Sequence, residues 1–339
     1  MDPREYVTAF LEHEYLAEHA GLTDGARELL HAQVLEHPET YATTPQAQSL
    51  VSYARTREHL LLELDRMEDL PDDAFDKKRE ELFNEVLLSL YKICETDEHC
   101  VDARLLSILL ANVPLDNCLS DLMELEKSTA EYLTETTPGF NAEAPHYWDE
   151  TVPEGEVALR TKSNPVMIGW LHTVEALSQG CMSSARYRCA ETYARRVMRS
   201  RGYTNRAFGT LLLAQARLED EDGFFTTARE GGEELENSPW YLLGRTILLY
   251  KMGRRKNAQR AMRDFAMRCD GGAFFVLNPT YLMPYLPVRP EPRRSWDLTH
   301  QAVWEADAIL VDTPDFSAWA QSIDGIVAVS EDFARRNGF

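Results

Sequence analysis

Apolar residues recur along this chain at intervals of three and four, the spacing that gathers side chains on one face of a helix. No run sustains the apolar–polar alternation of a half-buried strand. Tyr6, Phe10 and Tyr15 mark a first helix over residues 3–19, stopped at Gly21. Thr44-Pro45 joins a capping hydroxyl to a first-turn proline and opens a helix that runs to Met67, after which Pro71 opens another. In AFDKKREELFNEVLLSLYKIC, residues Phe75, Leu82, Val86, Leu90 and Ile93 fall near one face, and two further periodic runs, VDARLLSILLANV and LDNCLSDLMELEKSTAEYL, follow after short breaks. Connections this short favour antiparallel helix hairpins. The pattern predicts an all-α chain.

Periodicity fails over residues 134–165, which hold four prolines and two glycines and on which no helical face can be drawn. Phe140, Tyr147 and Trp148 nevertheless call for burial, so the segment is more than a linker. Beyond it, Asn164-Pro165 and Ser238-Pro239 repeat the cap-plus-proline signal. A second break, RCDGGAFFVLNPTYLMPYLPVRPEPRRSW, carries five prolines between Pro279 and Pro292 and predicts an extended arm whose Phe274, Phe275, Tyr281, Leu282, Tyr285 and Leu286 need cover. Helix resumes from Trp296, with Thr313-Pro314 as a further start. The expected organisation is an acidic helical region at 1–135, a connecting segment at 136–164, a helical array at 165–270, the proline-rich arm at 271–295 and capping helices at 296–339.

A repeat emerges from the turns of the array. Gly180 to Ala185, Gly223 to Ala228 and Gly253 to Ala258 share one spacing; the last two units superpose at a shift of 30, and the first lies 43 residues earlier. In WYLLGRTILLYKMGRRKNAQRAMRDFA the chain resembles the tetratricopeptide repeat family. Trp240, Leu243 and Gly244 are similar to the aromatic, Leu and Gly of that family's first helix, Gly253 to its turn glycine and Ala258 to the small residue opening its second helix. A small residue at a helix crossing lets the axes approach, and glycine accepts a left-handed turn. The spacings depart from the family's ~34, and the closing proline is missing. The resemblance covers residues 165–269. It implies helix hairpins stacked as a right-handed superhelix, with the first helices lining a groove that binds a peptide. In that register Tyr241 and Arg245 line the groove, Gln215 is the counterpart of Arg245 one repeat earlier, and Asn205 and Arg206 begin that helix.

Charge divides the chain. The total is -21 over 339 residues, yet residues 1–160 hold 12 Lys/Arg against 35 Asp/Glu, while residues 186–268 hold 17 against 10. The most basic stretch, GRRKNAQRAMRDF, sets Lys256, Arg260 and Arg263 opposite Ala258, Ala261, Met262 and Phe265 on a helical wheel, so the cations form a solvent stripe. At the 30-residue shift Arg260 faces Glu230 and Arg263 faces Glu233, which predicts ion pairing between repeats in preference to phosphate binding. The acidic total opposes long-range capture of nucleic acid.

Other chemistry finds little support. GRRKNA lacks the glycines and the preceding strand of a phosphate loop, and no G-x-S-x-G occurs. His13 and His19 are six apart, which does not place two imidazoles on one metal. The apolar run ILVDTPD reads as a helix start. Six cysteines without a C-x-x-C pair read as reduced, mostly buried thiols. With no leader and no run of ~18 apolar residues, a cytoplasmic protein is expected. These readings converge on a non-enzymatic protein–protein interaction scaffold without metal or cofactor, its groove holding an acidic or mixed peptide from a partner or from its own proline-rich arm. The alternatives are an RNA-binding helical repeat using residues 186–268 and an enzyme site assembled across the two halves.

Overall fold

The computed structural model of the chain describes residues 2–19, 21–67, 70–204, 207–281 and 292–339. Among the described residues every regular element is a helix, and the one extended pairing is an isolated antiparallel bridge between Phe140 and Trp148. Packing divides the chain into two compact units. The first comprises residues 2–174 with 199–204, and the second comprises 175–198, 207–281 and 292–339.

The first unit opens with α1 (Pro3–Glu18), α2 (Asp24–Glu36), α3 (Pro38–Tyr41) and α4 (Pro45–Arg66), and continues through α5 (Asp72–Thr96), α6 (Val101–Leu110), α7 (Leu115–Thr136) and α8 (Glu154–Lys162) into the start of α9 (Pro165–Ser183). The anticipated start signals act as caps. Thr44 Oγ1 accepts from the Ala47 amide at 3.2 Å and Asn164 Oδ1 from Met167 at 3.0 Å, each satisfying a donor that the first helical turn leaves open. The segment at 136–164 lies inside this unit. Phe140, Tyr147 and Trp148 are buried, with the Trp170 ring edge-on to Tyr147 at 4.8 Å and to Phe140 at 5.7 Å. Gly169 lets α9 close onto α6, since a Cβ there would stand 2.6 Å from Val101 Cβ.

The second unit holds the end of α9, α10 (Tyr187–Met198), α11 (Ala207–Leu218), α12 (Glu221–Glu236), α13 (Pro239–Lys251) and α14 (Arg255–Arg268), followed by α15 (Gly272–Leu277), α16 (Asp297–Glu305), α17 (Asp307–Val311), α18 (Asp315–Gln321) and α19 (Ile326–Asn337). Ser238 Oγ caps α13 by accepting from Tyr241 at 3.3 Å. Thr313 behaves otherwise: its carbonyl accepts from Phe316, while its hydroxyl is buried without a hydrogen-bond partner.

The turns correct the repeat spacing inferred from glycines. Left-handed residues join α9 to α10 at Ala185, α11 to α12 at Glu219 and α13 to α14 at Gly253, with φ of 58°, 62° and 72°. They recur at intervals of thirty-four residues. Each closes the preceding helix alike, its amide bonding the carbonyl three residues back and the next amide a carbonyl five residues back. Gly180 and Gly223 instead lie inside α9 and α12. Gly223 makes room for its own cap, for a Cβ there would meet Asp220 Oδ2 at 2.0 Å.

The anticipated extended arm is helical at its start. α15 buries Phe274 and Phe275, which pack with Trp296, Phe333 and Phe339. Leu282, Tyr285 and Leu286 lie outside the described residues. α16 packs on α13, where Trp240 Nε1 donates to Glu305 Oε2 at 2.7 Å. Trp240 also fills a notch in α11, because a Cβ on Gly209 would stand 2.6 Å from its ring.

Candidate functional site

Three of the five anticipated groove residues are described: Tyr241 and Arg245 are half-buried against neighbouring helices, and Gln215 is buried. Tyr241 stacks on Phe224 of α12 with ring centroids 5.6 Å apart, and burial pushes its hydroxyl above the ordinary value against the pull of Arg245. Arg245 leans toward Asp264 of α14, 3.7 Å away. Gln215 is fully buried, with neither amide oxygen nor nitrogen bonded. The face of α13 that carries Trp240 is taken by α16. Asn205 and Arg206 lie outside the described residues. α13 gives its neighbours three sides: Trp240 meets α11 and α16, Tyr241 meets α12, and Arg245 meets α14.

The outer face of α14 is open. Lys256, Arg260 and Arg263 are exposed and enter no ion pair among the described residues, and Met267 beside them is 81% exposed. At 100° per residue these four lie within about 60° of one another and span about 16 Å of helix. The expected pairs of Arg260 with Glu230 and Arg263 with Glu233 do not form. Pairing between hairpins falls elsewhere: Arg254 Nη2 donates to Glu221 Oε2 at 2.7 Å, Lys251 lies 3.6 Å from Glu219, and Arg268 bonds Asn237. One cause is Gly232, whose φ of 72° breaks α12 and rotates Glu233 out of the register set by Glu230. The other is the thirty-four-residue recurrence, which makes 30 the wrong offset.

A second polar constellation sits in the first unit, and the sequence reading missed it. Tyr6 on α1 donates its hydroxyl to Asp102 Oδ2 at 2.5 Å, and His172 Nδ1 on α9 donates to Asp102 Oδ1 at 2.8 Å. A carboxylate accepts only, so this contact sets the proton on Nδ1. Asp102 is 3% exposed. Burial acts to raise its carboxyl, but the charge and hydrogen bond of His172 and the hydroxyl of Tyr6 outweigh it and hold the group below the ordinary carboxylate value. Burial and the nearby Asp102 push the Tyr6 hydroxyl well up. The arrangement clasps α1, α6 and α9 through one buried charge. A carboxylate inside the apolar run VDARLLSILL is the sequence signal that marks it.

Comparison with known proteins adds no relative. No protein-family model matches the chain, nor does any curated protein or solved structure. Among the described residues no three His, Cys, Asp or Glu side chains are gathered to hold a metal ion, and no helix is long and apolar enough to cross a membrane. Cys100, Cys181 and Cys269 are buried, Cys94 and Cys118 half-buried and Cys189 exposed. Burial pushes Cys181 to about 11 and Cys269 to about 12, which leaves both protonated and unreactive at neutral pH.

Proposed function

We propose that this chain is a non-enzymatic protein–protein interaction scaffold, a tetratricopeptide-like array whose outer basic face holds an acidic segment of a partner. The observation that carries this reading is the recurrence of left-handed turn residues at 185, 219 and 253, which matches the family's repeat length of ~34 residues. Arrays of this kind stack hairpins that cannot bury their apolar faces alone and leave long helical surfaces for partners. The α14 stripe supplies the face: three unpaired cations and an exposed methionine in one line suit a helix or strand that carries carboxylates beside an apolar residue.

The test is binding of a glutamate-rich helical peptide, and separately of a single-stranded RNA, to the full chain. Arg260→Glu with Arg263→Glu should weaken the peptide at least tenfold, whereas Arg245→Glu, whose side chain turns to Asp264, should leave it unchanged. RNA bound more tightly than the peptide, with an affinity that falls steeply with salt, would move the assignment to nucleic acid. Equal loss in both variants would return the partner to the α13 face.

A further inference from the structure

We infer that the groove bounded by α5, α6 and α7 in the first unit is a docking site for a basic amphipathic helix of a partner protein. It is independent of the basic stripe on α14 and of opposite sign. α6 packs against both α5 and α7, and with 10 residues it is far shorter than its neighbours of 25 and 22. At 1.5 Å per residue it is about 15 Å long. The three helices bound a cleft of about 390 Å³, lined by Tyr91 and Cys94 of α5, Arg104 and Ile108 of α6, and Asp121 and Glu124 of α7.

The walls carry two kinds of side chain. Tyr91 is 57% exposed, and Leu88, one turn before it on the same face, is 63% exposed. Tyr91 lines the cleft, and Leu88 extends its exposed apolar surface along α5, the kind of patch that marks an interaction surface. Asp121 and Glu124 enter no ion pair among the described residues, and residues 72–136 hold 16 Asp/Glu against six Lys/Arg. Arg104 is the cation of the lining, and its field acts on Cys94, where burial raises the thiol and Arg104 pulls it down. An apolar ridge at i, i+3, i+4 and i+7 flanked by Lys or Arg matches this layout, with the ridge against Leu88, Tyr91 and Ile108 and the cations toward Asp121 and Glu124. An acidic peptide, or RNA, meets repulsion here.

The probe is a synthetic helix of about 18 residues with leucine at those positions and lysine elsewhere, titrated calorimetrically into the full chain at low salt. One helix is expected to bind per chain. Leu88→Gln with Tyr91→Gln should weaken it at least tenfold, and so should Asp121→Lys with Glu124→Lys; all four residues are surface positions, and circular dichroism checks that the variants stay folded. The same residues reordered to remove the apolar face should bind the wild-type chain at least tenfold more weakly. The bound helix should slow alkylation of Cys94 by iodoacetamide and leave that of Cys189, in the second unit, unchanged. Equal binding of the two peptides, or wild-type affinity in both double variants, overturns the proposal. Self-association of the wild type that Leu88→Gln with Tyr91→Gln abolishes gives the groove to a second copy, and overturns it too. Arg260→Glu with Arg263→Glu should leave this binding intact, so that the groove and the α14 stripe stand or fall separately.

Discussion

Asp102 shows how much a single buried charge can organise. Its two oxygens draw donors from residues 96 and 70 positions away along the chain, so removing either donor leaves a carboxylate out of water with an open lone pair. Tyr6→Phe should therefore destabilise the first unit by about 1.5–3 kcal/mol, a cost set by hydrogen bonds to charged groups. Asp102→Asn should cost more, and in a double-mutant cycle measured by urea unfolding the two should fall short of additive. The pH dependence has a definite sign. Because the folded value of Asp102 lies below the unfolded value of ~3.9, its contribution is fully present above about pH 4 and is lost as pH falls through the folded value. Asp102→Asn should flatten stability against pH in that acid window. Of this site, the sequence displays only an aspartate in an apolar run; the tyrosine and histidine that complete it meet it only in space.

At the scale of the element, helices and their starts were legible because capping is local. Thr44, Asn164 and Ser238 each bond an amide three residues ahead, an event decided within one turn. Turns were legible only where glycine marked them. Ala185 and Glu219 adopt the same left-handed conformation as Gly253, which costs an L-residue about 1–2 kcal/mol and leaves no trace in composition. A spacing read from glycines therefore settled on 30 and 43 where the backbone has thirty-four. This gives a direct check on the strain. Ala185→Gly should stabilise the chain by about 0.5–1 kcal/mol, the relief of the turn less the added freedom of the unfolded chain, and Gly253→Ala should destabilise it by about 1–2 kcal/mol. A Cβ at Gly253 would meet no heavy atom within 4 Å, so a loss there reports the backbone alone. Thermal unfolding of the two variants, with shifts of opposite sign, is the measurement.

Across the whole molecule, charge sets the response to salt. Residues 1–160 carry 35 acidic against 12 basic side chains, and like charges at this density repel through water over a Debye length of ~30 Å at 0.01 M salt but only ~3 Å at 1 M. Sodium chloride should therefore raise the urea midpoint of the free chain while weakening the acidic-peptide binding proposed for α14, a pair of opposite trends that nonspecific salting-out does not produce. The charge division itself was readable from composition, as were the all-helical class, the caps at Thr44, Asn164 and Ser238 and the solvent stripe on α14, because each depends on residues within a few positions of one another. That Arg260 and Arg263 pair with neither Glu230 nor Glu233 was not readable, since Gly232 breaks α12 and the thirty-four-residue recurrence of the turns is held in backbone dihedrals. Nor was the burial of Gln215, the turning of Tyr241 onto Phe224, or the seating of α16 against Trp240. The sequence by itself determined which segments coil and which faces are apolar, since hydrophobic periodicity and capping act along the chain. Tertiary structure alone decided which of those faces stay open, since a helix face is covered or left bare by distant elements, as α13 is at Trp240 by α16, whose Glu305 lies 65 residues along the chain.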